Sequence, residues 1–177
     1  MSSYGGKELA RAFRTVRKNT VQVAEDIPES KYDFVAAEGC KPVARMLTHI
    51  AIVTRFWDEV HGKGLTTMKG LDFTGLSQEA AADETRSRPK AEIVELLQSR
   101  GEKFANWLET LTPEFLAENV IQPDGTTKSR FESLLGAKEH EMHHRAQLML
   151  IERQLGIVPH LTRQRQERIA QMQSAKA

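Results

Sequence analysis

Apolar residues recur along the chain at steps of three and four, in four separate stretches. In the first, Leu9, Phe13, Val16, Thr20, Val23 and Ile27 fall on one stripe of a helix. Asp26-Ile27-Pro28-Glu29 ends it, because proline disfavours helical backbone at the residue before it. The second stretch starts at Pro42, carries Val43, Met46, Leu47, Ile50, Val53 and Trp57, and meets a C-capping glycine at Gly62. The third opens at Pro89, with Ser87 as a cap just ahead, and places Ile93, Leu97, Arg100, Phe104, Trp107 and Leu111 on one face. The fourth runs from about Ser129 to Leu155, with Leu134, Ala137, Glu141, His144, Leu148, Ile151 and Leu155 inward; Gly156 and Pro159 stop it.

The connections are uneven. Lys63 to Arg88 is a Gly- and Thr-rich stretch, longer than most links in a compact domain, suited to crossing the bundle or covering a site as a lid. Thr112-Pro113-Glu114 reads as a cap, a first-turn proline and an acid, predicting a short helix over 115–119. Pro123-Asp124-Gly125 is a turn, and the loop around it, with the long connection, is expected to shape a pocket. No segment alternates at period two, and no repeat recurs at a fixed period. The pattern predicts an all-α four-helix bundle over residues 1–162, with a long connection between the second and third helices. Residues 163–177, rich in Arg and Gln, form a polar tail or surface helix.

Composition narrows the function. With 177 residues, 40% apolar and 28% charged, the chain can bury one core without staples. A net charge of +1 leaves no electrostatic footprint for nucleic acid. The opening Met-Ser-Ser-Tyr-Gly-Gly-Lys lacks the apolar stretch of a signal peptide, and no apolar run is long enough to span a bilayer, so a cytoplasmic protein without a membrane partner is expected. The lone Cys40 excludes an internal disulfide and a cysteine zinc cluster, and reads as an ordinary thiol rather than a nucleophile.

Six histidines remain, three of them crowded at His140, His143 and His144. His140 and His144 are four apart, about 40° around a helix, so both imidazoles can reach one ion. His143 points to the side of that pair. A stable site needs a third protein ligand, and His49, bordering the inward stripe of the second helix, is the best placed; His61 lies at that helix's end and His160 beyond the last stop. His140-Glu141-Met142-His143-His144 also matches the H-E-x-x-H signature of zinc proteases. Its extensions fail: Gln147 stands where a metzincin needs glycine, and neither Glu152 nor Glu167 is placed as a downstream ligand. Glu141 and His143 are the candidate catalytic groups. For Glu141 a structural pair with Arg145, four residues on, is the stronger alternative.

These residues carry a family likeness. The chain resembles the DinB family, DinB/YfiT-like metal-dependent enzymes, from about Lys7 to Thr162. The matching motifs are Asp26-Ile27-Pro28-Glu29-Ser30-Lys31-Tyr32, the His49 segment Met46 to Ala51, the run His140 to Gln147, and Leu155-Gly156-Ile157-Val158-Pro159. Ala146 stands where the family has glycine. The resemblance implies helices in up-down-down-up order, a divalent metal (zinc, nickel or iron) held by His49, His140 and His144, and a homodimer. It also implies a hydrolase or thiol-dependent transferase acting on a small molecule, a low-molecular-weight thiol among the candidates. The alternative is a bundle that binds metal or a small ligand without turnover, as in stress-related sequestration.

Overall fold

The four stripes become the four long rods of the protein, a computed structural model that describes residues 4–175. Helix α1 spans Gly6–Asp26, and Ile27 leaves it in extended backbone as Pro28 requires. The second rod is α2 (Val43–Ile52), α3 (Thr54–Trp57) and a π-helical turn over Asp58–Gly62. Helix α4 (Phe73–Glu84) follows, then the third rod, α5 (Lys90–Glu109). A short α6 (Pro113–Ala117) leads into strands β1 (Asn119–Ile121) and β2 (Thr127–Ser129), and α7 (Arg130–Gln154) is the fourth rod. Ser129 caps α7 by accepting from the Glu132 amide, and Gly156, at φ +77°, ends it in the left-handed region. Helix α8 (His160–Ser174) closes the described chain.

Side-chain contacts set the direction of each rod. Arg14 of α1 reaches Glu102 and Glu109 of α5, while Lys90, at the other end of α5, donates to the Glu25 and Ile27 carbonyls, so these helices are antiparallel. Trp57 donates to the Ser133 carbonyl while His49 meets His140, so the second rod and α7 are antiparallel too. The order is up-down-down-up, with α1 and α7 parallel. Among the described residues, no helix is long and apolar enough to cross a membrane.

The core is divided. One half gathers Val23, Ile27, Leu47, Ile50, Leu97 and Leu148; the other gathers Leu9, Phe13, Trp57, Phe104, Leu108 and Leu134. Between them lies a buried ion pair. Arg17 Nε stands 2.9 Å from Glu141 Oε1, and the two side chains are 6% and 1% exposed. The rest of the guanidinium is spoken for: Nη1 donates to the Leu97 carbonyl at 2.6 Å and Nη2 to the Ile50 carbonyl at 3.2 Å. One arginine thus touches all four rods. Gly101 makes room for it, since a Cβ there would lie 2.6 Å from Arg17 Cγ.

Several expectations change. Pro89, not Ser87, precedes α5 and no side chain caps it, and Gly62 is the last residue of the π-helical turn, with Lys63 after it as the cap. The stretch 63–88 is partly structured: it holds α4, capped by the Asp72 carboxylate on the Gly75 amide. Its weak amphipathic signal reflects a helix lying on the outside of the second rod with only Glu84 buried. The short helix is Pro113–Ala117 rather than 115–119, and the Asp124 turn joins a two-stranded ribbon that the sequence did not suggest. The ribbon's Ile121 pairs with Thr66 and Met68, and Val120 packs with Val60 and Met68, so burial rather than strand patterning maintains it. On α5, Gly101 rather than Arg100 occupies the inward position beside Arg17.

Glu152 and His160 are buried where α1, α7 and α8 meet. Neither Glu152 oxygen has a hydrogen-bond partner. Burial and the nearby Asp26, against Arg163 and Arg153, push its carboxyl up to about 7.

Two outcomes are expected. Glu141→Gln leaves Arg17 buried without its counter-charge and lowers unfolding free energy by about 3–5 kcal/mol in urea titrations, whereas the double variant Arg17→Met/Glu141→Leu recovers most of that loss. The raised Glu152 value means the folded chain keeps a proton that the unfolded chain releases, so stability falls as pH rises from 4.5 to about 7. Glu152→Gln therefore raises the thermal midpoint at pH 8, by on the order of 2 kcal/mol in stability, and has little effect at pH 4.5.

Candidate metal centre

The three histidines meet on the outer side of the polar layer. His49 immediately precedes Ile50, whose carbonyl Arg17 holds, and His140 and His144 flank Glu141 on α7. Their ring centroids are 5.0 Å (His49–His140), 4.9 Å (His49–His144) and 4.6 Å (His140–His144) apart. One nitrogen from each ring lies within 4.8 Å of the others. His49 Nε2 and His140 Nε2 are 3.1 Å apart. Two nitrogens on one tetrahedral ion at 2.0–2.1 Å would be about 3.3 Å apart, so the pair has the spacing of ligands to a shared cation. Among the described residues no further His, Cys, Asp or Glu joins the group.

Outer contacts orient the rings. Glu84, at the end of α4 and 6% exposed, accepts from His49 Nδ1 at 2.6 Å. Gln147 Oε1 stands 2.9 Å from His144 Nδ1 and accepts from it. Each contact places the proton on Nδ1 and leaves Nε2 free to ligate. Lys41 and Arg45 complete the surroundings of Glu84, at 2.5 Å and 3.4 Å from Oε2. Burial alone would raise the Glu84 carboxyl, but hydrogen bonds from Lys41 and His49 outweigh it and hold the group below its ordinary value. Burial, then the neighbouring His144, His49, His143 and Lys41, pull the His140 imidazolium down to about 4. Burial also lowers His144, against the opposing bond to Gln147. Neutral imidazoles are the form that binds metal. His140 Nδ1 is buried without a partner. The donor set therefore fits a divalent cation.

The remaining candidates fall elsewhere. His143 is exposed beside His144 and accepts from Gln147 at 3.3 Å, so Gln147 bridges the two rings. Glu141 turns inward to Arg17 and is not in the histidine group. Arg145, expected to be its partner, instead donates to the Val16 carbonyl. His61 is buried, and burial and Arg130 pull its imidazolium down to about 4. Arg130 can only donate to His61 Nδ1, so Nε2 carries the proton and donates to Ser133 Oγ at 2.9 Å. That tautomer cannot take a proton from the serine. His160 pairs with Asn19 in the α8 junction, and Cys40 is exposed.

Sequence reasoning did not single out Glu84. It sits in Glu79-Ala-Ala-Ala-Asp-Glu84, where no stripe marks an inward position. An acid at the end of a helix-forming run was the sole cue. Gln147 was visible as the last residue of the histidine motif, without a role.

Comparison with known proteins agrees with this architecture. YfiT from Bacillus subtilis, described as a probable metal-dependent hydrolase with an unusual four-helix bundle topology, superposes with a TM-score of 0.68 at 18% identity, covering 89% of this chain and 91% of that one. The DinB-like protein YjoA from the same organism gives 0.63 at 23% identity, covering 84% and 92%. A mycothiol-dependent maleylpyruvate isomerase gives 0.60 at 13% identity, covering 81% of this chain and 62% of that one. At these identities the likeness concerns the fold. No curated protein matches the chain. The DinB superfamily model matches residues 12–148, which run from α1 through all three histidines, and the chain belongs to that superfamily.

Proposed function

We propose that this protein is a metal-dependent enzyme acting on a small molecule, of the hydrolase or thiol-dependent transferase type. The observation that carries the reading is the convergence of His49, His140 and His144 with no fourth ligand among the described residues. Closed structural sites take four protein ligands, whereas three leave a position for a reactant. A divalent cation held there supplies Lewis acidity, polarising an incoming water or thiol.

The chain's own residues supply the rest. Glu84 and Gln147 fix the His49 and His144 rings, so little reorganisation is needed when a reactant arrives. His143, exposed and joined to His144 through Gln147, is the group placed to move a proton between the site and solvent. Lys41 and Arg45 neutralise Glu84, so a divalent cation held by the three neutral imidazoles would keep its charge toward an anionic nucleophile such as a thiolate.

Metal analysis of freshly purified protein, with competition against a chelator, tests the site. The wild type is expected to hold one equivalent of zinc, nickel or iron, and His49→Ala and His144→Ala to lose it. Stoichiometric metal retained in both variants would sink the proposal. Glu84→Gln and Gln147→Ala should keep the stoichiometry but weaken affinity about 10–100-fold.

Turnover separates enzyme from binder. Hydrolysis of simple esters and transfer of glutathione to an electrophile are measured in loaded, chelated and reloaded protein. Activity that disappears and returns with the metal is expected. Full metal occupancy without turnover on either substrate would favour a binding or sequestering role.

A further inference from the structure

A cleft of about 520 Å³ lies between the second rod and α4, and His49 is one of its lining residues. Ile52, Val53 and Phe56 form one wall, and Phe73, Leu76 and Ala80 the other. The cleft and the histidine centre thus share a side chain. Charges at the mouth are partly tied up by neighbours: Arg55 Nη2 pairs with Asp83 at 2.7 Å, and Lys63 Nζ with Glu59 at 2.6 Å. Pockets of this size, with apolar walls and polar groups at one point, hold ligands by burying an apolar body and orienting it by that point.

Helix α4 carries both parts of the arrangement. Its Leu76 and Ala80 line the cleft, and its final residue, Glu84, holds His49. At that end the helix is fixed to the second rod by Glu84 to His49 and Arg45 and by Asp83 to Arg55, and to the segment before that rod by Glu84 to Lys41.

The geometry points to this cleft as the seat of the substrate's apolar portion, an aliphatic chain or single aromatic ring whose reacting polar group meets the metal centre. The inference rests on the reading of the three histidines as a metal site. It assigns a substrate class, small amphipathic molecules with one uncharged apolar tail, and it makes α4 the element that determines tail length.

The test uses the full-length, zinc-loaded protein and a series of hydroxamic acids that share one metal-binding head: acetohydroxamic, butanohydroxamic and hexanohydroxamic acid. Calorimetry should show affinity rising about fourfold per added methylene as the tail enters the cleft. Leu76→Glu, which places a charge in the wall, and Ala80→Phe, which fills the space, should each abolish that gain. The zinc content of each variant is measured alongside. Affinity independent of chain length, or a gain that survives both substitutions, overturns the inference. A parallel arm needs no metal: binding of 1-butanol and 1-hexanol to the zinc-free protein is followed by ligand-observed NMR. If the protein takes up no zinc, the metal reading falls and this arm decides the cleft. Preferential binding of hexanol that is lost in both variants supports the cleft, and its absence overturns it.

Discussion

The guanidinium of Arg17 is the constraint on which the arrangement of helices depends. A buried cation costs several kcal/mol unless it is paired and hydrogen-bonded, and here each guanidinium nitrogen finds a partner, from three other helices at once. Glu141 comes from α7, the Ile50 carbonyl from α2 and the Leu97 carbonyl from α5. Sliding any rod by one turn, about 5.4 Å, would break one of these contacts in a place that water does not reach. The apolar clusters on either side supply the burial energy but little register, because Leu, Ile and Val tolerate repacking that a charged pair does not. A single buried pair thus supplies specificity that the hydrophobic stripes alone leave loose.

That register is also the register of the histidine centre. Ile50 follows His49 directly, and Glu141 lies between His140 and His144. Satisfying Arg17 therefore brings His49 of the second rod level with the pair on α7. The two functions are divided by face: Glu141 points into the bundle to the arginine, and its histidine neighbours point to the groove between α2 and α7. An H-E-x-x-H string, which in isolation suggests a protease helix with a catalytic glutamate, here uses its glutamate to hold the fold.

Legibility in the sequence followed the range of each interaction. The stripe of α1 was fully readable, since Leu9, Phe13, Val16, Thr20, Val23 and Ile27 are all buried. The start near Ser129 and the stop at Gly156 were readable for the same reason, as both are set within a turn. Arg17 was not, because an arginine one position off an apolar stripe looks like a solvated edge. Gly101 was passed over in favour of Arg100, since a glycine has no side chain to count in a hydrophobic pattern. The β1–β2 ribbon was invisible because its strands have three residues each and depend on Met68 and Val60, far away in the chain.

The sequence by itself determined four amphipathic rods, their ends, and a pair of imidazoles one turn apart, because helical periodicity and capping are set within a few residues. It also offered His49 as the third ligand. Tertiary structure alone decided that Glu141 answers Arg17, 124 residues away, rather than Arg145. It likewise decided that Glu84, from a helix without a clear stripe, accepts the hydrogen bond from His49 Nδ1. Both are choices among several chemically equivalent partners. The local chain leaves such choices open, and the packing of distant helices at a fixed register closes them.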